Sequence, residues 1–349
     1  MNANTGVLLG NEHRLIAALR CVRARRETGW LAAAVLGVFA ASCSGATAAT
    51  DDSGCIAPAN PGGGWDLTCR MTVASLARLD SSVAPMRVIN VPGNGGGVAF
   101  SKVVTQMRGN PGVIVAASPS TVLGLVQHHY GNHTEHDVRW IATVGSEPSV
   151  IAVRADAPWR NLAAFVADWR AHPEKILTVG ASVPGGQDHM KILVLARAVG
   201  LDVRRVRYAA YDSPVDAIGA LMADTAQVFP GDASEVGQAV AEHRLRVLAV
   251  LSEQRALGVL ADVPTAQEQG VPVSWSVWRG FYAPPGISDA TYARWVDRLT
   301  RMAASPSWNE TLTRNGLSPF FLAGKAFEDF LHRQTSADSA LSQQIGLIR

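Results

Sequence analysis

Three segments of this sequence set glycines directly before a helix-forming stretch. They are Pro61-Gly62-Gly63-Gly64-Trp65-Asp66, Pro92-Gly93-Asn94-Gly95-Gly96-Gly97 and Pro184-Gly185-Gly186-Gln187-Asp188-His189. Glycine lets a ligand come close to the backbone. The first N–H groups of a helix lack an intrahelical partner and sit at the positive end of the helix dipole. Together these features suit anion capture, a main-chain cradle for a carboxylate. Any one of the loops also reads as an ordinary tight turn, and it is their repetition that carries the reading.

The remaining side-chain chemistry is sparse. His128, His129, His133 and His136 are four of the nine histidines and fall between Gln127 and Asp137. Imidazoles at that density suit zinc, nickel or copper. Gly131 and Asn132 interrupt the helix that would bring His129 and His133 together, so the stretch reads as a polar surface loop. A periplasmic metal carrier or metal-dependent receptor is the alternative. No G-x-x-x-x-G-K-[ST], G-x-S-x-G or H-E-x-x-H pattern occurs. Val98 occupies the last position of what would be G-x-G-x-x-G. The expectation is a binding protein with no cofactor, not an enzyme, and a hydrolase ranks behind the metal alternative. Trp65, Trp275 and Trp278 are either core residues or stacking surfaces for a ligand.

The elements that would position these loops follow from periodicity. Apolar runs at 87–91, 113–117, 149–153, 177–180 and 245–251 read as strands. Helical spacing links Val215, Ile218 and Met222, with Ser213 as cap, Pro214 at the first position and Asp216 completing a capping box. Tyr292, Trp295, Leu299 and Met302 share another helical face after Ser288, and Gly200 closes a helix through Ile192, Leu193 and Ala196. The alternation predicts an α/β fold with largely parallel sheets, whose ligands bind beyond the carboxyl ends of the strands.

The chain has 349 residues, 48% hydrophobic and 17% charged, with a net charge of +2, enough for roughly two domains. This balance argues against nucleic acid as a partner. Arg20, Arg23, Arg25 and Arg26, the apolar run Trp30–Ala41 and Ala46-Thr47-Ala48 form an export signal over 1–48, which places the mature protein in the periplasm. A lipoprotein site at Cys43 is a second reading. Cleavage after Ala48 leaves only Cys55 and Cys69. An oxidising compartment favours pairing them, worth about 3 kcal/mol, against the alternative of two buried thiols.

Cys55-Ile56-Ala57-Pro58-Ala59-Asn60, running on to Asp66, resembles the opening strand and ligand loop of the tripartite tricarboxylate transporter receptors (TctC/Bug-type periplasmic binding proteins). Val91 to Gly97 and Gly185 to His189 resemble their second and third loops. Trp278-Arg279-Gly280-Phe281-Tyr282-Ala283-Pro284-Pro285-Gly286 is similar to their return strand, and Val263-Pro264-Thr265 with Glu268-Gln269-Gly270 also fits. The resemblance implies a two-lobed fold like the type II periplasmic binding proteins, with the ligand cleft between lobes. Lobe 1 would comprise 49–153 with 275–349 and lobe 2 would comprise 154–274, with crossings near Arg154 and Trp275. It also implies capture of a small organic acid for integral-membrane permease subunits on a separate chain. Gly63, Gly64 and Asp66 would line the first lobe; Ser182, Gly186 and Asp188 would line the second. With their neighbours, the candidate ligand set is Asn60, Gly63, Gly64, Trp65, Asp66, Gly95, Gly96, Ser182, Gly185, Gly186, Asp188, Tyr211, Asp212 and Asp232. The chain departs from the family where Tyr208 to Pro214 replaces a glycine-rich turn. Asp212 there either caps a helix or faces the cleft, where it would repel a distal carboxylate and favour an amine, amide or hydroxyl. Asp232 raises the same question.

Overall fold

In the computed structural model, which describes residues 54–79 and 86–348, each glycine-rich loop does lead into a helix. The chain runs β1 (Gly54–Ala57), α1 (Gly64–Leu79), β2 (Arg87–Asn90), α2 (Gly97–Gln106), β3 (Val113–Ala117), α3 (Pro119–Val126) and β4 (Arg139–Arg154). It continues through α4 (Leu162–Ala171), β5 (Leu177–Gly180), α5 (Gln187–Ala198), β6 (Arg207–Ala210), α6 (Pro214–Met222) and α7 (Ala233–Ala241). The last elements are β7 (Leu245–Leu251), β8 (Ser276–Ala283), α8 (Asp289–Ala303), α9 (Pro306–Arg314) and α10 (Lys325–Ile345). The export signal, its cleavage site and Cys43 lie outside the described residues.

One six-stranded sheet has the order β2-β1-β3-β8-β4-β7, and β5 pairs with β6. The large sheet is mixed, not largely parallel, while the two-stranded sheet is parallel. β1 pairs parallel with β2 and β3, and β5 with β6, but β3–β8, β8–β4 and β4–β7 are antiparallel. The reason is that β8 runs back between β3 and β4, and β4 continues past it to pair with β7. The apolar run at 149–153 is only the end of β4. Up to Pro148 that strand pairs with β8, and from Ser149 it pairs with β7.

Strands buried on both faces read as unbroken apolar runs, and their alternate residues feed different cores. In the first lobe Cys55, Ile114 and Phe281 pack on one face, with Leu76, Trp295 and Trp308. Ile56, Val115 and Tyr282 pack on the other, with Phe100, Trp140 and Phe327. At the far end of β4, Ile151 and Val153 face one core, and Val150 and Ala152 another. Cys55 and Cys69 form a disulfide with a Cα–Cα distance of 5.6 Å, tying β1 to α1 across the first glycine loop.

Two helix readings change. In α6 the buried residues are Pro214, Ala217, Ala220 and Leu221, with Ile218 half-buried beside them, while Val215 is 67% exposed. Small residues pack closer to the sheet there than the larger Val215 stripe could. Ser213 does cap α6, accepting from the Asp216 N–H at 3.1 Å. Its hydroxyl, however, donates to Asp216 Oδ2 at 2.6 Å, so the carboxylate takes the cap's own proton in place of a backbone N–H.

Candidate functional site

Five helices begin at one cavity of about 80 Å³. Gly63 and Gly64 bring the start of α1, Ser118 and Ser120 that of α3, and Gln187 and Asp188 that of α5. Ser213 and Pro214 bring α6, and Asp232 and Glu235 bring α7; Asn60, Trp65, Ser182, Asp212 and Arg279 complete the wall. Such a convergence places several partly positive helix ends around one small volume.

The first loop is shaped by its neighbours. Trp65 Nε1 donates to Ser118 Oγ at 3.1 Å, which lays the indole along the cavity wall. Gly64 is required by close approach: a Cβ there would fall 2.5 Å from both Nη atoms of Arg279. Asn60 Nδ2 reaches across the cleft to the Asp212 carbonyl oxygen at 3.2 Å. On the facing wall, Ser182 Oγ accepts from the Asp188 N–H at 3.0 Å and meets Tyr208 OH at 3.1 Å. His189 stacks on Tyr208 with centroids 4.5 Å apart. Burial pushes the His189 imidazole down to about 4, and its Nδ1 accepts from the Gly185 N–H, so it is neutral with its proton on Nε2 near pH 7.

Behind these loops runs a buried chain of charges. Glu147 on β4 accepts from Arg279 on β8 through Nε at 2.8 Å and also through Nη2. Arg279 Nη2 reaches Asp232 Oδ2 at 2.9 Å, Lys191 Nζ reaches Asp232 Oδ1 at 2.6 Å, and Lys191 also holds Asp188 Oδ1 at 2.8 Å. All five side chains are 7% exposed or less, so each charge depends on its partners. Burial works against the Asp232 carboxylate, but Lys191 and Arg279 outweigh it and hold its pKa below the usual value. Glu235 is the opposite case. Burial first, then Asp232 and Asp188, raise its pKa well above the ordinary range, although its Oε2 accepts from the Asp232 N–H at 2.9 Å.

The structure therefore gathers Asn60, Gly63, Gly64, Trp65, Ser182, Asp188, Asp212 and Asp232 at one cavity. Gly95 and Gly186 line an adjoining recess of about 40 Å³ with Trp65 and Ser182. Gly185 stands just behind it, with φ +86° and its carbonyl accepting from Gln127 Nε2 at 2.9 Å. Gly96 and Tyr211 are not in the cavity wall; Tyr211 N–H donates to Gly180 O and its ring packs on the second-lobe core. Asp66 turns away. It accepts from Gly62 N–H, Asn90 Nδ2 and Arg70 Nε, and it faces a separate groove of about 530 Å³. Asp212 lines the cavity, because Ser213 takes the capping position. Trp278 is core, its indole N–H donating to Gln334 Oε1 at 2.6 Å, and Trp275 packs half-buried between cores.

The histidines do not converge. His133 packs on Phe100 with centroids 5.6 Å apart, the His136 side chain is 83% exposed, and His129 lines the small recess, its carbonyl accepting from Asn94. Among the described residues no group of three or more His, Cys, Asp or Glu could hold a metal ion.

Sequence reasoning missed Glu147, Lys191, Glu235 and Arg279. A signal was present: Lys191 stands between Met190 and Ile192-Leu193, and Arg279 between Trp278 and Gly280-Phe281. A charge inside an apolar run needs a buried partner.

Comparison with known proteins follows this geometry. The profile of the tripartite tricarboxylate transporter family receptor matches residues 77–347. A UPF0065 protein of Bordetella pertussis is 28% identical, over 84% of this chain and 88% of that protein. A UPF0065 protein of Cupriavidus necator is 23% identical over 82% and 85%. Among solved structures, MatC from Rhodopseudomonas palustris with bound malate superposes with a TM-score of 0.72 at 19% identity, over 83% of this chain and 98% of its own. The periplasmic binding protein BugD gives 0.74 at 20% identity, over 84% and 97%. An R. palustris protein with adipate gives 0.75 at 18%, over 84% and 97%.

Proposed function

Because the chain belongs to the tripartite tricarboxylate transporter receptor family, and so to a class of solute-binding receptors, we propose that it captures a small carboxylate between its lobes and hands it to permease subunits on a separate chain. The convergence of five helix starts on one cavity is the observation that carries this reading. N–H groups at those starts offer an anion a ready-made site. The malate and adipate named for two similar folds fit the same ligand class. Periplasmic location belongs to the same proposal, as does removal of residues 1–48.

The lobe division we propose is 49–153 with 275–349, and 154–274. The change of strand partner within β4 supports a crossing in this strand, though it falls at Pro148 to Ser149, five residues before that boundary. In this reading Asn60, Gly63, Gly64 and Trp65 hold the ligand from one lobe, and Ser182, Gly186, Asp188, Asp212 and Asp232 bound it from the other. The small cavity and the Asn60–Asp212 contact across it favour a ligand enclosed by hinge closure. Asp212, exposed at the cavity wall, limits how many carboxylates it can carry and disfavours a tricarboxylate, whereas the Asp232 charge is already paired with Lys191 and Arg279.

The test is a melting screen of the purified protein against a panel of mono-, di- and tricarboxylates. A ligand at a hundred times its Kd stabilises by about 2.7 kcal/mol, which for a chain of this size is a rise of several degrees. No shift with any carboxylate would falsify the proposal.

A further inference from the structure

The last helix, α10, makes two different sets of contacts along its length. Its first half is anchored: Phe327 and Leu331 are buried in one core with Trp140 and Tyr282, and Gln334 Oε1 accepts from the Trp278 indole on β8. Its second half lies across α3 and α5, two helices that start at the cavity. Leu341, Ile345 and Leu347 pack there against Leu123 of α3 and against Met190 and Leu193 of α5, which are 3% exposed or less. Polar contacts flank this apolar seam. Arg197 Nη1 on α5 donates to Gln344 Oε1 at 2.6 Å. Gln127 Nε2, at the end of α3, donates to Ser342 Oγ at 3.2 Å and to the Gly185 carbonyl at 2.9 Å. One amide thus ties the third glycine loop to α10.

In the lobe division proposed above, α3 and α10 belong to one lobe and α5 to the other. The seam therefore joins the parts that a hinge would separate, and none of its apolar side chains lines the cavity. Drawing α5 away from α10 would expose Leu123, Met190 and Leu193 to water and break the Arg197–Gln344 and Gln127–Gly185 bonds. A contact made in only one of two states biases the equilibrium toward that state, whatever the ligand does. We infer that the last two turns of α10 are a latch that holds the closed state, so that part of the drive for closure comes from this seam and not from the ligand. This rests on the hinge closure proposed above, and it holds for any ligand the cleft takes.

Small-angle scattering of the ligand-free protein tests the latch with two variants. Leu341→Ala with Ile345→Ala strips the seam near the end of the chain, beyond the Phe327 and Leu331 anchor. Arg197→Cys with Gln344→Cys, both exposed positions, joined by a short bismaleimide, ties α10 to α5. The processed chain offers no other free thiol, since Cys55 and Cys69 are bridged. The linked protein is expected to have the smaller radius of gyration and the alanine variant the larger, with the wild type at or between the two. The difference between the variants is the deciding quantity, because a closed wild type hides the effect of the link and an open one hides that of the truncation. If the alanine variant does not fold, Arg197→Ala with Gln344→Ala takes its place. Equal radii for the two variants overturn the latch. Hinge closure then stands without it if a ligand from the carboxylate panel contracts the wild type, and falls with it if none does.

Discussion

Arg279 lies on β8, yet it reaches Asp232 at the start of α7, with Glu147 on β4 as its other partner. Removing it leaves Glu147 buried without a cation and Asp232 with Lys191 alone. Arg279→Met is therefore expected to cost roughly 3–5 kcal/mol in urea unfolding, far more than an exposed pair such as Lys325–Asp329 would. Asp338 on α10 shows the converse, a buried acid with too few partners. Its Oδ2 has none, and burial pushes its pKa up to about 7 against a weaker opposing bond from Gln334. The folded state then holds a proton that the unfolded chain has released, so stability falls as pH rises from about 4 to about 7. Asp338→Asn should flatten that segment of the stability–pH curve and leave the variant roughly 1–4 kcal/mol more stable relative to wild type at pH 8 than at pH 4. Equal slopes for the two proteins would show that Asp338 is not the titrating group.

The element most exposed to disruption is the first loop, held between β1 and α1. The Cys55–Cys69 bridge closes it with a separation of 14 residues, a loop whose cross-link is worth about 3 kcal/mol. Replacing both cysteines with alanine should lower the melting temperature by several degrees, and adding reductant to the wild type should match that loss. Much at this scale was readable in advance. Ser213-Pro214, Ser288-Asp289 and Gly200 mark helix ends by their chemistry, and all three lie at observed ends. The face of α6 was not readable, because Ala217, Ala220 and Leu221 and the larger Val215, Ile218 and Met222 both recur at helical spacing. Only the tight approach of α6 to its sheet favours the small set. The first sixteen-residue crossing strand was also seen only in part, since Gly145, Ser146 and Glu147 break the apolar pattern that marked 149–153.

At the scale of the molecule, closure is expected to depend on contacts that bridge the cleft. Asn60→Ala removes the side chain that reaches Asp212. In small-angle scattering, a ligand should shrink the wild-type radius of gyration, and Asn60→Ala should need more ligand for the same change. An unchanged radius with ligand bound would rule out hinge closure. The sequence by itself determined the family, the α/β class, the disulfide pair and the loops that approach the cavity. These are local signals: glycine runs, caps, apolar periods and two cysteines left to meet each other. Tertiary structure alone decided which loop residues share the cavity, Asp212 among them, and why Asp66 turns outward. It alone set Asp232 between Lys191 and Arg279. Such contacts join residues 41 to 132 positions apart, and burial, which no local pattern encodes, fixes their charge states and orientations.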